Sequence, residues 1–199
     1  MKLLLFSDLH ADAAAASRLV ELSRDVDLMV GAGDFGNRRR EVSVCIEVLR
    51  QAPIPSVVVP GNNESCEELV RACKAWPSAT VLHGEGQQVC GLPFFGLGGG
   101  VPITPFGEWS YDFSETDAAR LLENCPNGAV LVSHSPPRGA VDIGASGRSL
   151  GSTAVRAVIL RTRPRLVVCG HIHASGGQSG MVDTTTVVNA GPSGMIWTI

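Results

Sequence analysis

Five short apolar segments, each followed within four residues by an aspartate, asparagine or histidine, constrain the fold more than any other feature of this sequence. The segments are Leu3–Phe6, Leu28–Val30, Val57–Val59, Ala129–Val132 and Leu166–Cys169. Continuous apolar runs of this length, bounded by glycine and polar residues, are typical of strands buried on both faces of a sheet. We therefore predict buried strands whose carboxyl ends carry polar side chains.

The segments that follow the first three strands have helical patterns. A helix at about residues 12–25 has Asp12 in position to cap it. A second helix has apolar residues at helical spacing between Val42 and Leu49, and we expect Arg38–Arg40 in its first turn. A third helix runs to about Ala75. This alternation predicts a largely parallel sheet that is covered by helices.

The middle and the end of the chain have shorter strand-like runs. Residues 79–98 contain three such runs separated by turn residues, which predicts an antiparallel meander. Residues 98–113 form a long loop rich in glycine and aromatic residues, and we expect it to border a functional site. Helices are predicted from about Ser114 and over Ser152–Arg163. Closing hairpin strands are predicted at Val182, Thr184–Val188 and Met195–Trp197.

Composition narrows the class of protein. A length of 199 residues with 44% hydrophobic and 18% charged residues predicts one globular domain over residues 1–199. A net charge of −3 without a basic stripe argues against nucleic acid as a partner. The apolar start, Met1–Phe6, is too short for a signal peptide or a membrane span. The six scattered cysteines suit a reducing compartment, so we expect a cytoplasmic location without membrane contact.

Seven candidate metal ligands follow the five strands. They are Asp8, His10, Asp34, Asn62, His134, His171 and His173. Any one of them, taken alone, is equally well explained as a helix cap, a turn residue or a satisfied histidine. Because sites in sheets with parallel strands form beyond the carboxyl ends of the strands, all seven are predicted to meet at one edge. Their mixture of imidazole, carboxylate and amide groups suits Mn, Fe, Zn or Ni better than a soft metal.

The order and spacing of these residues resemble the calcineurin-like metallophosphoesterase family, in particular its small single-domain Icc-related phosphoesterases. The matching motifs are Asp8-x-His10, Gly33-Asp34, Gly61-Asn62, His134 and Gly170-His171-x-His173. The resemblance implies an α/β fold with mixed sheets, arranged as a four-layer α-β-β-α sandwich of the metallo-dependent phosphatase type. It also implies a hydrolase that cleaves phosphodiester or phosphomonoester bonds of a small substrate through a dinuclear metal centre and a metal-bridged hydroxide.

The resemblance further implies how the ligands divide between two divalent ions. The ligands would be Asp8, His10 and His173 for the first ion and Asn62, His134 and His171 for the second. Asp34 would bridge both ions. Manganese is our first choice, with iron, zinc, nickel or magnesium as alternatives. The residues implied in catalysis are Asp34, Asn62, Asn63 and His134.

Position 63 departs from the family pattern. Many relatives have Gly-Asn-His followed by an acidic residue, and that histidine is proposed to protonate the leaving group. This chain has Asn63, whose amide donates hydrogen bonds but cannot give up a proton at neutral pH. Because general acid catalysis is worth roughly 10²–10⁴-fold, we expect a bias toward good leaving groups such as those of aryl phosphodiesters.

Three questions stay open at this point. The alternative function is a metal-binding but non-catalytic interaction scaffold of the same fold, although the retention of all seven ligand positions favours an enzyme. Arg38 or Arg39 either contacts a substrate phosphate or belongs to a solvated surface. Asp142 either orients a ligand histidine or stabilises a turn. We expect Glu64 to cap or charge the start of the next helix, and His83 to be structural.

Overall fold

Two mixed β-sheets form the centre of the protein in the computed structural model, which describes residues 1–199. The strands are β1 (Lys2–Phe6), β2 (Leu28–Gly31), β3 (Ser56–Val58), β4 (Ala79–Val81), β5 (Glu85–Val89), β6 (Leu92–Leu97), β7 (Val130–Ser133), β8 (Leu166–Cys169), β9 (Gln178–Val182), β10 (Thr185–Asn189) and β11 (Met195–Thr198). The helices are α1 (Ala13–Leu22), α2 (Val42–Leu49), α3 (Cys66–Ala72), α4 (Glu115–Leu121) and α5 (Thr153–Thr162). Short 3₁₀ helices occupy Ser23–Asp25, Cys73–Ala75 and His173–Ser175. None of the helices has the length and apolar character that a membrane span requires.

Each sheet has a parallel centre and antiparallel edges. The first sheet has the order β11-β1-β2-β3-β4, in which β1 to β4 are parallel and β11 is antiparallel to β1. The second has the order β5-β6-β7-β8-β10-β9, in which β6, β7, β8 and β10 are parallel and the two outer strands are antiparallel. The parallel strands within each sheet therefore end at the same edge, which is where polar ligands were predicted to collect.

Three apolar cores separate four layers. Side chains alternate along β1, so that Leu4 and Phe6 pack with α1 and α2 while Leu3 and Leu5 face the second sheet. The outer face of the second sheet packs against α4 and α5 through residues such as Val155. The predicted four-layer α-β-β-α sandwich is confirmed. The helix caps agree as well, because Asp12 accepts hydrogen bonds from the first turn of α1.

Three local predictions are wrong. The strand β4 does not join a meander with β5 and β6, because α3 returns the chain so that β4 pairs in parallel with β3. Of the closing strands, only β9 and β10 form a hairpin, whereas β11 pairs with β1. Arg38–Arg40 lies before α2 rather than in its first turn. Arg38, Arg39 and Glu41 have φ angles of 47°, 65° and 61°, and this left-handed conformation cannot be part of a right-handed helix.

Candidate metal centre

The structure brings all seven predicted ligands to one place between the ends of the two sheets. The first sheet supplies Asp8 and His10 after β1, Asp34 after β2 and Asn62 after β3. The second sheet supplies the three remaining histidines, one after β7 and two after β8, namely His134, His171 and His173. Convergence from two sheets explains why residues more than 160 positions apart, such as His10 and His173, are in contact.

Four of these residues form one compact group. Ligand atoms of Asp8, His10, Asp34 and His173 all lie within 4.8 Å of one another. The Nε2 atoms of His10 and His173 are 3.0 Å apart, and each lies 3.6 Å from a carboxylate oxygen, of Asp34 and Asp8 respectively. Two ring nitrogens and two carboxylate oxygens that face one point are a donor set suited to a borderline divalent cation.

The remaining three ligands form a second group around the other oxygen of Asp34. The Oδ1 atom of Asn62 lies 3.1 Å from His134 Nε2 and 3.0 Å from His171 Nδ1. His134 Nε2 also lies 3.5 Å from Asp34 Oδ1, whereas Asp34 Oδ2 faces His10. The two oxygens of Asp34 therefore point toward two different ligand groups, as a bridging carboxylate requires.

Hydrogen bonds fix the orientation of His134. Its Nδ1 lies 2.7 Å from the carbonyl oxygen of Ala32, which can only accept, so Nδ1 carries the proton and Nε2 faces the cluster with its lone pair. Burial disfavours the imidazolium of His134, but the charges of Asp34 and Asp8 outweigh burial and raise its pKa. The same negative field favours a cation at the position that Nε2 faces.

Charge and burial also set the states of Asp8 and His171. Burial opposes the ionisation of Asp8, but the hydrogen bond with His173 and the charge of His134 outweigh it and lower its pKa to about 2. Burial and the neighbouring His134 lower the pKa of His171 to about 3. Asp8 is therefore a carboxylate and His171 a neutral imidazole near neutral pH, which are the forms that bind metal ions.

Four of the seven ligands have a left-handed backbone. The φ angles are 58° for Asp8, 46° for His10, 59° for Asp34 and 66° for His171. Such conformations cost about 1–3 kcal/mol each in residues other than glycine, and they persist only where the surrounding structure enforces them. Because these residues lie together at the strand ends, the cluster is a part of the fold in which the backbone departs from the φ angles that residues other than glycine prefer.

Glu64 holds the backbone around Asp34, one of these four ligands, and its role was not predicted. Its buried carboxylate accepts hydrogen bonds from the backbone N–H groups of Asp34, Phe35, Gly36 and Gly61, at 2.7–3.2 Å. It thus joins the loops after β2 and β3 rather than capping the next helix, a role that Ser65 fills. Burial and the nearby Asp34 raise the pKa of Glu64 to about 7. Its position directly after the Asn62-Asn63 pair was the only signal for this role in the sequence.

The side chain of Asn63 is held in place on both sides. Its Nδ2 donates to Asp34 Oδ2 at 2.7 Å, and its Oδ1 accepts from the backbone N–H of Arg38 at 2.8 Å. The backbone N–H of Asn63 also donates to Asp34 Oδ1 at 2.8 Å. Asn63 therefore stabilises the central carboxylate.

The 98–113 loop borders the cluster and contacts one of its ligands. Ser110 Oγ accepts a hydrogen bond from Asn62 Nδ2 at 3.0 Å and donates to Asp112 Oδ1 at 2.8 Å. Thr104 Oγ1 donates to Asp112 Oδ2 at 2.6 Å. Because Ser110 engages the amide nitrogen of Asn62, the amide oxygen is turned toward His134.

The other predicted residues lie outside the ligand cluster. Asp142 does not orient a histidine, because it accepts hydrogen bonds from Ser149 Oγ and from two glycine N–H groups of its own loop. Arg39 pairs with Glu68 at 2.7 Å, whereas Arg38 faces the cleft above the cluster. His83 accepts from the N–H of Gly98.

Solved structures of other proteins have the same fold. The chain superposes on the Thermus thermophilus protein TT1561 with a TM-score of 0.77 and 20% identity, covering 96% of this chain and 90% of that one. A dimetal phosphatase from Danio rerio gives a TM-score of 0.61 with 14% identity, covering 96% and 88%. Phosphopantetheinyl hydrolase from Mycobacterium tuberculosis gives 0.57 with 14% identity and the same coverage.

Sequence comparison gives one curated relative and one family. The relative is a probable rhamnogalacturonate lyase C from Emericella nidulans, 28% identical over 176 residues, which cover 77% of this chain and only 16% of the length of that protein. The family model of the calcineurin-like phosphoesterases matches residues 1–175, which include every ligand of the cluster. The chain belongs to the calcineurin-like phosphoesterase family.

Proposed function

We propose that the protein is a metal-dependent phosphoesterase with a dinuclear centre that prefers phosphodiesters with good leaving groups. The observation that carries this proposal is the position of the Asp34 carboxylate, because its two oxygens face two separate groups of candidate ligands. Asp8, His10 and His173 would hold one ion, and Asn62, His134 and His171 the other. All of these residues lie in the region that matches the family.

The protein's own residues would bind the metal ions and orient the ligands around them. Two divalent ions, when bound, would lower the pKa of a water and clamp phosphoryl oxygens. The chain supplies imidazoles and carboxylates, several of them oriented by hydrogen bonds, and Glu64 holds the backbone that places Asp34. Manganese remains our first choice of ion, with iron, zinc, nickel and magnesium as alternatives, because availability outweighs intrinsic affinity in such sites.

The preference for good leaving groups follows from Asn63. The amide stands where many relatives have a histidine, and both of its functional atoms are already hydrogen bonded within the protein. No proton is available there for a departing alkoxide, so a leaving group that is stable as an anion should react fastest.

The surroundings of the cluster favour a small substrate. Arg38 is the only arginine or lysine that lines the cleft, and the net charge of −3 gives no field that would attract a nucleic acid. Six free cysteines fit a reducing compartment, so we place the activity in the cytoplasm.

The test is a metal-reconstituted assay. The protein is stripped with EDTA, loaded with Mn²⁺ and offered bis(p-nitrophenyl) phosphate and p-nitrophenyl phosphate in parallel. We expect turnover of the diester to exceed that of the monoester, and Asp34→Asn to abolish both activities. Asp183→Asn, which changes an exposed aspartate of the β9–β10 turn, is the matched control and should retain both.

Two results would overturn the proposal at different levels. A faster monoester reaction would replace the diesterase assignment with a monoesterase. Absence of turnover of either compound, in protein shown to bind two equivalents of manganese, would favour the non-catalytic scaffold.

A further inference from the structure

The cleft above the ligand cluster has apolar walls. It has a volume of about 640 Å³, its lining includes five of the seven candidate ligands, and much of its wall is the stretch from Pro102 to Phe106. Three large apolar side chains at this cleft are exposed to solvent, Ile103 by 66%, Phe106 by 52% and Leu150 by 46%. Single exposed apolar residues are normal on protein surfaces, but three that line one cleft mark a candidate binding surface.

The cleft offers few partners for charged or hydroxyl-rich groups. Apart from the ligand cluster and Asn63, the side chains with polar atoms are Arg38, Thr104 and Trp109. The Thr104 hydroxyl donates to Asp112, and the Trp109 indole offers a single N–H. A nucleotide or a sugar phosphate would bury hydroxyl or phosphate groups that need hydrogen-bonding partners, and these walls supply almost none. The wall therefore suits an uncharged group without hydroxyls.

Two aromatic rings and a guanidinium group stack on one another at the cleft. The rings of Phe106 and Trp109 are nearly parallel, with an interplanar angle of 15° and a centroid distance of 5.7 Å. The guanidinium carbon of Arg38 lies 5.6 Å from the centroid of the Trp109 ring. An aromatic group placed against Phe106 would extend this stack, whereas an alkyl chain would gain only the area that it buries.

We propose that the cleft binds an aromatic ester group of the substrate, so that the natural substrate is a phosphoester of an uncharged aromatic alcohol. This inference rests on the proposed function only in placing the phosphate at the ligand cluster. Phe106 and Ile103 would contact the aromatic group beside the phosphate. Phe106 would then determine specificity without contacting the phosphorus.

Binding of phosphate diesters that differ in their ester groups tests this proposal without requiring turnover. Isothermal titration calorimetry of the manganese-loaded protein compares diphenyl phosphate, dibutyl phosphate and dimethyl phosphate. We expect diphenyl phosphate to bind about tenfold more tightly than dimethyl phosphate and several-fold more tightly than dibutyl phosphate. Phe106→Ala should remove most of the preference for the phenyl compound. Leu160→Ala, which truncates a side chain of similar exposure on α5 outside the cleft, should retain it.

Each outcome has one meaning. Equal affinities for the phenyl and methyl compounds would overturn the proposal, and so would an equally strong preference in Phe106→Ala. Dibutyl phosphate binding as tightly as diphenyl phosphate would overturn the aromatic assignment. Selective, Phe106-dependent binding in a protein that hydrolyses no phosphoester would support the cleft assignment while refuting the catalytic one.

Discussion

Replacement of Ser110 by alanine tests whether the 98–113 loop determines how Asn62 faces the metal centre. In the native protein Ser110 accepts the amide N–H of Asn62, which leaves the amide oxygen 3.0–3.1 Å from ring nitrogens of His134 and His171. In Ser110→Ala the amide loses this partner. It can then rotate by half a turn and donate to those same ring nitrogens, which would remove an oxygen ligand from the proposed second ion.

The magnitude follows from the hydrogen bond that is lost. A neutral hydrogen bond contributes about 1 kcal/mol net, which is about fivefold in the balance between the two amide orientations. New hydrogen bonds from the rotated amide in the metal-free protein add to this preference. We therefore expect the affinity for one of two Mn²⁺ ions to fall about tenfold, at the lower end of the effects seen when outer hydrogen-bonding partners of metal ligands are removed. The affinity for the other ion should not change.

Isothermal titration calorimetry of the stripped protein measures both affinities. The matched control is Thr104→Val, which removes the contacts of the Thr104 hydroxyl with Asp112 and with the Ser110 hydroxyl but leaves the bond between Ser110 and Asn62. An Asn62→Asp background provides a second control, because a carboxylate presents oxygen in either orientation and Ser110→Ala should then cost less than about twofold. The reasoning would be refuted if Thr104→Val weakened metal binding as much as Ser110→Ala does.

Three further predictions concern stability. Saturation with Mn²⁺ at about 100 times its dissociation constant should stabilise the protein by about 2.7 kcal/mol, seen as a higher Tm that EDTA reverses and that Asp34→Asn lacks. A side chain at Gly61 would overlap the Asp34 carboxylate, so Gly61→Ala should lower the free energy of unfolding by about 3 kcal/mol and abolish the Mn²⁺-induced rise in Tm. The control is Gly180→Ala, whose new methyl group would have its nearest neighbour at 3.6 Å and should lower the free energy of unfolding by less than about 1 kcal/mol. Burial lowers the pKa of His83 below the 6.5 of the unfolded chain, so the contribution of neutral His83 to stability is complete above that pH and is lost as the pH falls below it. Urea unfolding in EDTA should therefore show a loss of stability between pH 7.5 and pH 5.5 that is smaller in His83→Gln, and an unchanged loss in that variant would contradict the assignment.

The sequence predicted the elements of the fold that depend on local pattern. The continuous apolar runs at β1, β2, β7 and β8 are strands of sheets that are covered on both faces. In such a strand every side chain is buried, so apolar residues do not alternate with polar ones. The gathering of ligands at one edge of each sheet followed from the same pattern, since parallel strands of a sheet end at one edge. The family resemblance then supplied the pairing of the two sheets, which no local pattern contains.

The errors in the predicted strands arose where the position of a strand in a sheet depends on its pairing partner and not on its own sequence. The strand β4 is short and only half-buried at an edge, so its side-chain pattern does not distinguish a parallel partner from an antiparallel one. The strand β11 pairs with β1 from the opposite end of the chain, as in the pair Leu4 and Ile196, and no turn between them signals this pairing. Arg38–Arg40 was misplaced because left-handed backbone in residues other than glycine leaves no trace in composition.

Asn63 shows why part of the site could not be predicted from residue type alone. The family resemblance implies that it stands in place of an acid, but in the structure its amide also donates to Asp34 Oδ2. An Asn63→His variant therefore changes two properties together. It adds a proton donor, and it removes the side-chain hydrogen bond to the Asp34 carboxylate. The backbone hydrogen bond to Asp34 Oδ1 remains. We expect the rate of this variant to depend less on the pKa of the leaving group, as a gained acid requires, and its metal affinity to fall by about fivefold, as one lost hydrogen bond requires. Measuring both quantities separates the two roles: an unchanged dependence on the leaving group would refute the account of the acid, and an unchanged metal affinity would refute the account of the amide.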